Sequence, residues 1–143
     1  MQRLTEITAD VASFLSAGTR TAHLAYLAAD GRPLSTPVWF VVDDGTVAFN
    51  TGRETPKGRA LVRDPRVVVS VDDPHPPFAF AQVQGVAEIV DDRDYVRRIA
   101  TACGGRYMGA DRAEEFGSRN ADPGEIAVRI RPTRVLFEAD VSA

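Results

Sequence analysis

Lysine is almost missing from this chain. Of its 17 basic side chains, every one but Lys57 is arginine. Cysteine is nearly absent too: Cys103 stands alone, which excludes an internal disulfide and leaves nothing for a Cys-based zinc site. The two histidines, His23 and His75, lack any H-x-x-x-H spacing, so no metal site is expected. Charge of one sign is not in excess. The formal net charge is −3 and no basic stretch stands clear of acidic neighbours, which argues against nucleic acid or anionic membrane as a partner. Long apolar runs are lacking as well. The N-terminal segment carries Glu6 and Asp10 and predicts neither a signal peptide nor a membrane span, so the expected location is the cytoplasm.

The 143 residues suit one domain, 1–143, able to bury roughly two thirds of its unfolded surface. Leu4, Ile7, Val11, Phe14 and Leu15 recur at helical spacing, with Gly18 as a stop. Residues 19–29 and 33–43 flank Asp30-Gly31, and Asp44-Gly45 leads into 46–51. Asp-Gly between β-prone runs predicts hairpins, hence three consecutive antiparallel strands. Pro37 lies inside the second run and places it at a sheet edge, a bulge or a gap. Residues 55–63 predict a short helix with Pro56 in its first turn and Asp64-Pro65 closing it.

Strands follow over 66–72 and 78–90, the second bent or bulged at Gly85. Asp91 is a candidate cap for a helix carrying Tyr95, Val96, Ile99, Ala100 and Cys103, ended by Gly104-Gly105. Asp111 and Glu114 form a weak capping box for a further turn before Asn120. A last strand over 125–131 and 135–138 is broken or bent at Pro132. About six strands and three or four short helices suit a mostly β (α+β) fold, a small antiparallel barrel with helices outside.

The position of the one lysine is informative. An arginine-rich composition explains why lysine is scarce, but not why it falls in Thr51-Gly-Arg-Glu-Thr-Pro-Lys-Gly-Arg-Ala60. Hydroxyls, glycine N–H groups and a compact ammonium at a helix start are what an anion site requires. A solvated turn is the plainer alternative. The segment from Ser35 to Phe40 has two readings: its proline frees backbone to approach a flat ligand, while Trp39 alone could equally anchor a core. The pairs Asp43-Asp44, Asp72-Asp73 and Asp91-Asp92 fall at strand ends and read as turns and caps. Cys103 reads as a small buried hydrophobe. No nucleophile–base arrangement stands out, and the catalytic residue is unassigned.

Several segments together resemble the pyridoxamine-5′-phosphate-oxidase-like split-barrel flavoproteins, in particular their F420 (deazaflavin)-dependent oxidoreductase branch. They are Leu27-Ala-Ala-Asp-Gly-Arg-Pro33, Thr36-Pro-Val-Trp-Phe40, Thr51 to Leu61, Arg63-Asp-Pro-Arg-Val67 and Gln84-Gly-Val-Ala-Glu88, spanning about residues 5–139. The resemblance implies a homodimer of six-stranded split barrels with cofactor grooves at the interface. It maps the cofactor phosphate onto Thr51, Arg53, Thr55 and Lys57, and the ring onto Thr36, Pro37, Val38 and Trp39, with Asn50 close by. Phe78 and Ala79 would contact cofactor or substrate, from the partner subunit in one arrangement. Some relatives carry arginine where this chain has Thr55. The implied reaction is hydride transfer between F420 and a small electron-poor acceptor, with water, Tyr26 or Tyr107 as proton source. FMN as cofactor, or a non-catalytic dimer holding flavin, deazaflavin or haem, are the alternatives. Arg97, Arg98 and Arg106 are either solvated or contacts for the acidic tail of F420.

Overall fold

The computed structural model describes residues 1–143 and contains eight strands and four α-helices. The strands are β1 (Gln2–Leu4), β2 (Ala22–Leu27), β3 (Pro33–Val38), β4 (Val41–Asp43), β5 (Thr46–Gly52), β6 (Arg66–Asp72), β7 (Phe80–Val90) and β8 (Glu125–Glu138). The helices are α1 (Ala9–Ser16), α2 (Pro56–Arg63), α3 (Arg93–Met108) and α4 (Ala113–Arg119). None is long and apolar enough to cross a membrane.

All pairings are antiparallel, in the order β3-β2-β6-β7-β8-β5-β4, with β1 on β8. Both Asp-Gly hairpins form. Gly31, Asp44 and Gly45 take positive φ, the backbone that tight hairpin turns need. The sequence pattern predicts six strands where the structure has eight, and both differences have local causes. The run 33–43 is split at Trp39-Phe40 into β3 and β4. Leu4, counted above with the first helix, belongs to β1, because the Thr8 side chain accepts from Val11 N and starts α1 only at Ala9.

That split decides the architecture. β3 and β4 are the two opposite edges of the hydrogen-bonded path, yet only Trp39 and Phe40 join them. Three Cα steps span at most about 11 Å, so the two edges must meet and the sheet must curl into a barrel. The hydrogen-bonded path stays open at this seam. Pro37, with no N–H to donate, sits on the β3 edge where the ladder can spare it. Inside the barrel lie Leu24, Tyr26, Val69, Val83, Phe49 and Ile130, closed off by Val11 and Leu15 of α1 and by Ala60 and Leu61 of α2. A register shift between Gln84 and Gly85 bends β7 against β8, which runs unbroken through Pro132. A Cβ on Gly85 would lie 2.3 Å from the Arg131 carbonyl oxygen, so only glycine permits this approach.

Helix α3 lies on the outer face, where Ile99 and Cys103 pack on Ala48. Its cap is Asp92, not Asp91: the Asp92 carboxylate accepts from the N–H groups of Asp94 and Tyr95. It also runs past Gly104-Gly105 to Gly109. Gly104 serves close packing instead of a stop, since a Cβ there would meet Phe116 Cβ of α4 at 2.5 Å. The expected Asp111–Glu114 capping box does not form; a 3-10 turn over Ala110–Arg112 leads into α4 with no side-chain cap.

The C-terminal end of α3 satisfies the seam. Tyr107 accepts from Phe40 N at 3.4 Å and donates to the Arg20 carbonyl at 2.7 Å. Arg106 donates to the carbonyls of Phe40, Leu15 and Gly18 at 2.7–3.0 Å. Replacing Tyr107 with Phe keeps the ring but strands Phe40 N–H and the Arg20 carbonyl. The expected cost is about 1–3 kcal/mol, read as a lower urea midpoint with unchanged slope.

Candidate functional site

A cleft of about 400 Å³ opens along the seam. Pro37 and Val38 of the β3 edge, with Trp39 of the link that follows, form one wall, and Asn50 and Thr51 of β5 form the other. Lys57 enters from α2, Ala100 and Cys103 from α3, Asn120 from the end of α4, and Glu125 from the start of β8. Six of the eleven residues assigned from sequence therefore share one cleft: Pro37, Val38, Trp39, Asn50, Thr51 and Lys57.

Lys57 is half-buried and no carboxylate lies within 4.0 Å of its ammonium. Burial lowers its pKa, and the charge of Glu125 partly opposes that. It is the only cation in the cleft wall. Its placement follows from Gly58, whose missing Cβ would lie 2.1 Å from the Gly52 carbonyl oxygen and 2.8 Å from that of Arg53. Only glycine lets α2 seat so closely on the end of β5.

Trp39 has a double role. Its ring stacks on Tyr107 with centroids 5.1 Å apart and 2° between planes, and meets the edge of Phe116 at 5.8 Å. It nevertheless remains 38% exposed and lines the cleft. Asn50 donates its amide to the carbonyls of Val96 at 2.8 Å and Asn120 at 3.1 Å, tying both outer helices to β5. Two carbonyl acceptors fix the amide orientation and leave Asn50 Oδ1 buried with no partner. Thr36 Oγ1 is likewise buried and unpartnered, although Thr36 is not in the cleft wall. Such orphans cost about 1–3 kcal/mol each unless water or a ligand meets them.

Other assigned residues stand elsewhere. Thr55 caps α2, its hydroxyl accepting from Gly58 N and donating to the Gly52 carbonyl. Arg53 is held in an ion pair with Asp91, which also binds Arg93. Neither lines the cleft. Phe78, exposed with φ of 59°, and buried Ala79 precede β7 away from it. Of the proposed tail contacts, Arg106 is spent on backbone carbonyls, Arg97 pairs with Glu114, and Arg98 pairs with Asp43. Tyr26 faces the barrel core, and the Tyr107 hydroxyl already serves two backbone groups. Cys103 is buried and its thiol is pushed up to about 12, so it is no nucleophile.

Asn120 and Glu125 were not legible as cleft residues. Glu125 arrives through register: it pairs with Gly52 across β5 and β8. Burial raises its pKa, aided by Asp122, while Lys57 and Arg93 act the other way. A raised carboxyl pKa means that the folded state holds this proton more tightly than the unfolded chain does. Its favourable contribution is complete below the unfolded value and lost as pH rises through the folded one. Glu125→Gln should therefore raise the urea midpoint at about pH 7 and leave it little changed at about pH 4. An equal effect at both values would contradict burial as the cause.

Solved structures share this fold. A conserved hypothetical protein from Mycobacterium tuberculosis is 28% identical, with a TM-score of 0.84 over 99% of this chain and 91% of that one. An F420 reductase is 25% identical, with a TM-score of 0.69 over 88% of this chain and 94% of its own. A heme binding protein from Mycobacterium smegmatis, 21% identical over 92% of this chain and 54% of that one, shares the fold with a TM-score of 0.66. None of the curated proteins matches this chain. The pyridoxamine 5′-phosphate oxidase family model matches residues 7–139, nearly the whole of the split barrel and its seam, and the chain belongs to that family.

Proposed function

We propose that the seam cleft binds the deazaflavin cofactor F420 and that the protein is a cytoplasmic oxidoreductase acting on a small electron-poor organic acceptor. The observation that carries this reading is the half-buried Lys57 ammonium, unpaired, at one end of a cleft walled by Trp39 and the β3 edge. The F420 reductase among the similar structures supports the choice of cofactor.

The residues present fit such a group. Lys57 neutralises the phosphodiester as a point charge, beside Thr51. Asn50 Oδ1, an acceptor without a donor, suits a ring N–H. Pro37, Val38 and Trp39 present an apolar wall that excludes water from the ring. Bound there, F420 supplies the hydride chemistry, and the chain supplies position and a dry surface. Tyr107 already donates to Arg20 and Cys103 holds its proton tightly, so neither is the proton donor. Water is the proton source in this reading.

The second half of each site comes from a partner subunit. The outward positions of β2, β6 and β7 carry no helix and align across strands in the rows His23–Ser70–Gln82 and Ala25–Val68–Gln84. This face suits a second copy of the chain, which would bring Phe78 and Ala79 towards the partner's cleft. Val68→Arg should then convert a dimer to a monomer in analytical ultracentrifugation. A monomeric native protein would remove the partner from the site.

Titration with F420 and separately with FMN, followed by Trp39 fluorescence, tests the cofactor. F420 should bind far more tightly, and Lys57→Ala should weaken it by about tenfold or more. Preference for FMN moves the protein to conventional flavin chemistry. Tight F420 binding without reduction of any artificial acceptor by the reduced cofactor would make it a binder and not an enzyme.

A further inference from the structure

We infer that Glu125 is a specificity residue: with Lys57 it makes this end of the cleft accept a singly charged phosphodiester and reject a doubly charged phosphomonoester. The inference rests on reading Lys57 as the phosphate contact. It adds what the neighbouring charges do to that phosphate.

Backbone register brings the two charges together. Glu125 is the first residue of β8 and pairs with Gly52, the last of β5. The N-terminal turn of α2 is seated on that same Gly52, so closely that Gly58 can bear no Cβ. Lys57 and Glu125 thus enter one cleft from two sides of one backbone point, and no hydrogen bond or ion pair joins them. Both are half-buried, which strengthens the field each exerts on a bound anion.

The surrounding cations do not tip the balance. Arg53 and Arg93 share Asp91, and Arg93 also donates to the carbonyls of Asp122 and Glu125. Arg59 is paired with Glu54. The Asp122 carboxylate accepts from Gly124 N and adds negative charge beside Glu125. Lys57 is the only cation in the cleft wall, and it faces one carboxylate there. A diester carries one negative charge and is matched by Lys57. A monoester carries about two at neutral pH, and its second charge meets Glu125 uncompensated. F420 is joined through a diester, whereas FMN ends in a monoester. The acid in an anion site thereby becomes the discriminating element.

Glu125→Gln keeps size and hydrogen-bonding capacity while removing the charge. In fluorescence titrations at about pH 8 it should tighten FMN binding by about tenfold and change F420 binding by less than about threefold. Unchanged or weakened FMN binding, with F420 still bound, overturns the role of Glu125 and leaves the cofactor reading standing. A second titration is independent of any ring: dimethyl phosphate against methyl phosphate, following the amide resonances of Thr51, Gly52 and Lys57. The native protein should favour the diester, and Glu125→Gln should lose that preference. If this holds while F420 does not bind, the cofactor reading falls and the charge selection stands. Preference of the native protein for the monoester, or no response to either phosphate, sinks the inference.

Discussion

The backbone of Phe40 is where this barrel would come apart without help. Two sheet edges meet there across a link of two residues, and neither edge strand can hydrogen-bond the other. An unpaired peptide at such a point needs partners, and α3 brings them: the Tyr107 hydroxyl to the N–H and the Arg106 guanidinium to the carbonyl. The same guanidinium reaches Leu15 and Gly18, so one side chain ties α1, the seam and α3 together. Fixing the seam in this way also fixes Trp39, stacked on Tyr107, and with it one wall of the cleft.

The cleft follows from the seam being left open. A fully paired barrel would have filled this position with ladder hydrogen bonds; here side chains from β3, β5, α2, α3 and β8 border a gap instead. Glycines at two points make the gap the right shape. Gly58 lets α2 approach β5, and Gly104 lets α4 approach α3 closely enough to bring Phe116 against Trp39. Asn50 then links sheet to both outer helices through its amide nitrogen and turns its oxygen, unsatisfied, inward.

Charge is distributed with similar economy. The chain is rich in arginine, yet most guanidiniums near the site are engaged by Asp91, Glu54, Asp43 or backbone carbonyls. Planar forks suit such multiple contacts, whereas the single lysine, with no fork to satisfy, stays available. That division explains why Arg53, beside Lys57 in the sequence, is not its companion in the cleft. Its fork found a carboxylate 38 residues away.

Local chemistry was legible in the sequence. Both Asp-Gly hairpins, the helix α2 with Pro56 in its first turn, the Gly85 bulge and the incomplete pairing at Pro37 each depend on residues within a few positions of one another. Six of the eleven proposed site residues were likewise within two short segments and β5. What the sequence could not disclose depended on distant partners. Gly104-Gly105 reads as a helix stop until Phe116 is seen against it. Arg106 reads as solvated until three carbonyls are found around it. Glu125 reads as a strand start until register sets it beside Gly52. By itself the sequence determined the Asp-Gly turns and the apolar faces of the main strands and helices, because those follow from backbone conformation and spacing. Only the tertiary structure decided which polar groups remain free for a ligand, because that depends on partners supplied from across the fold.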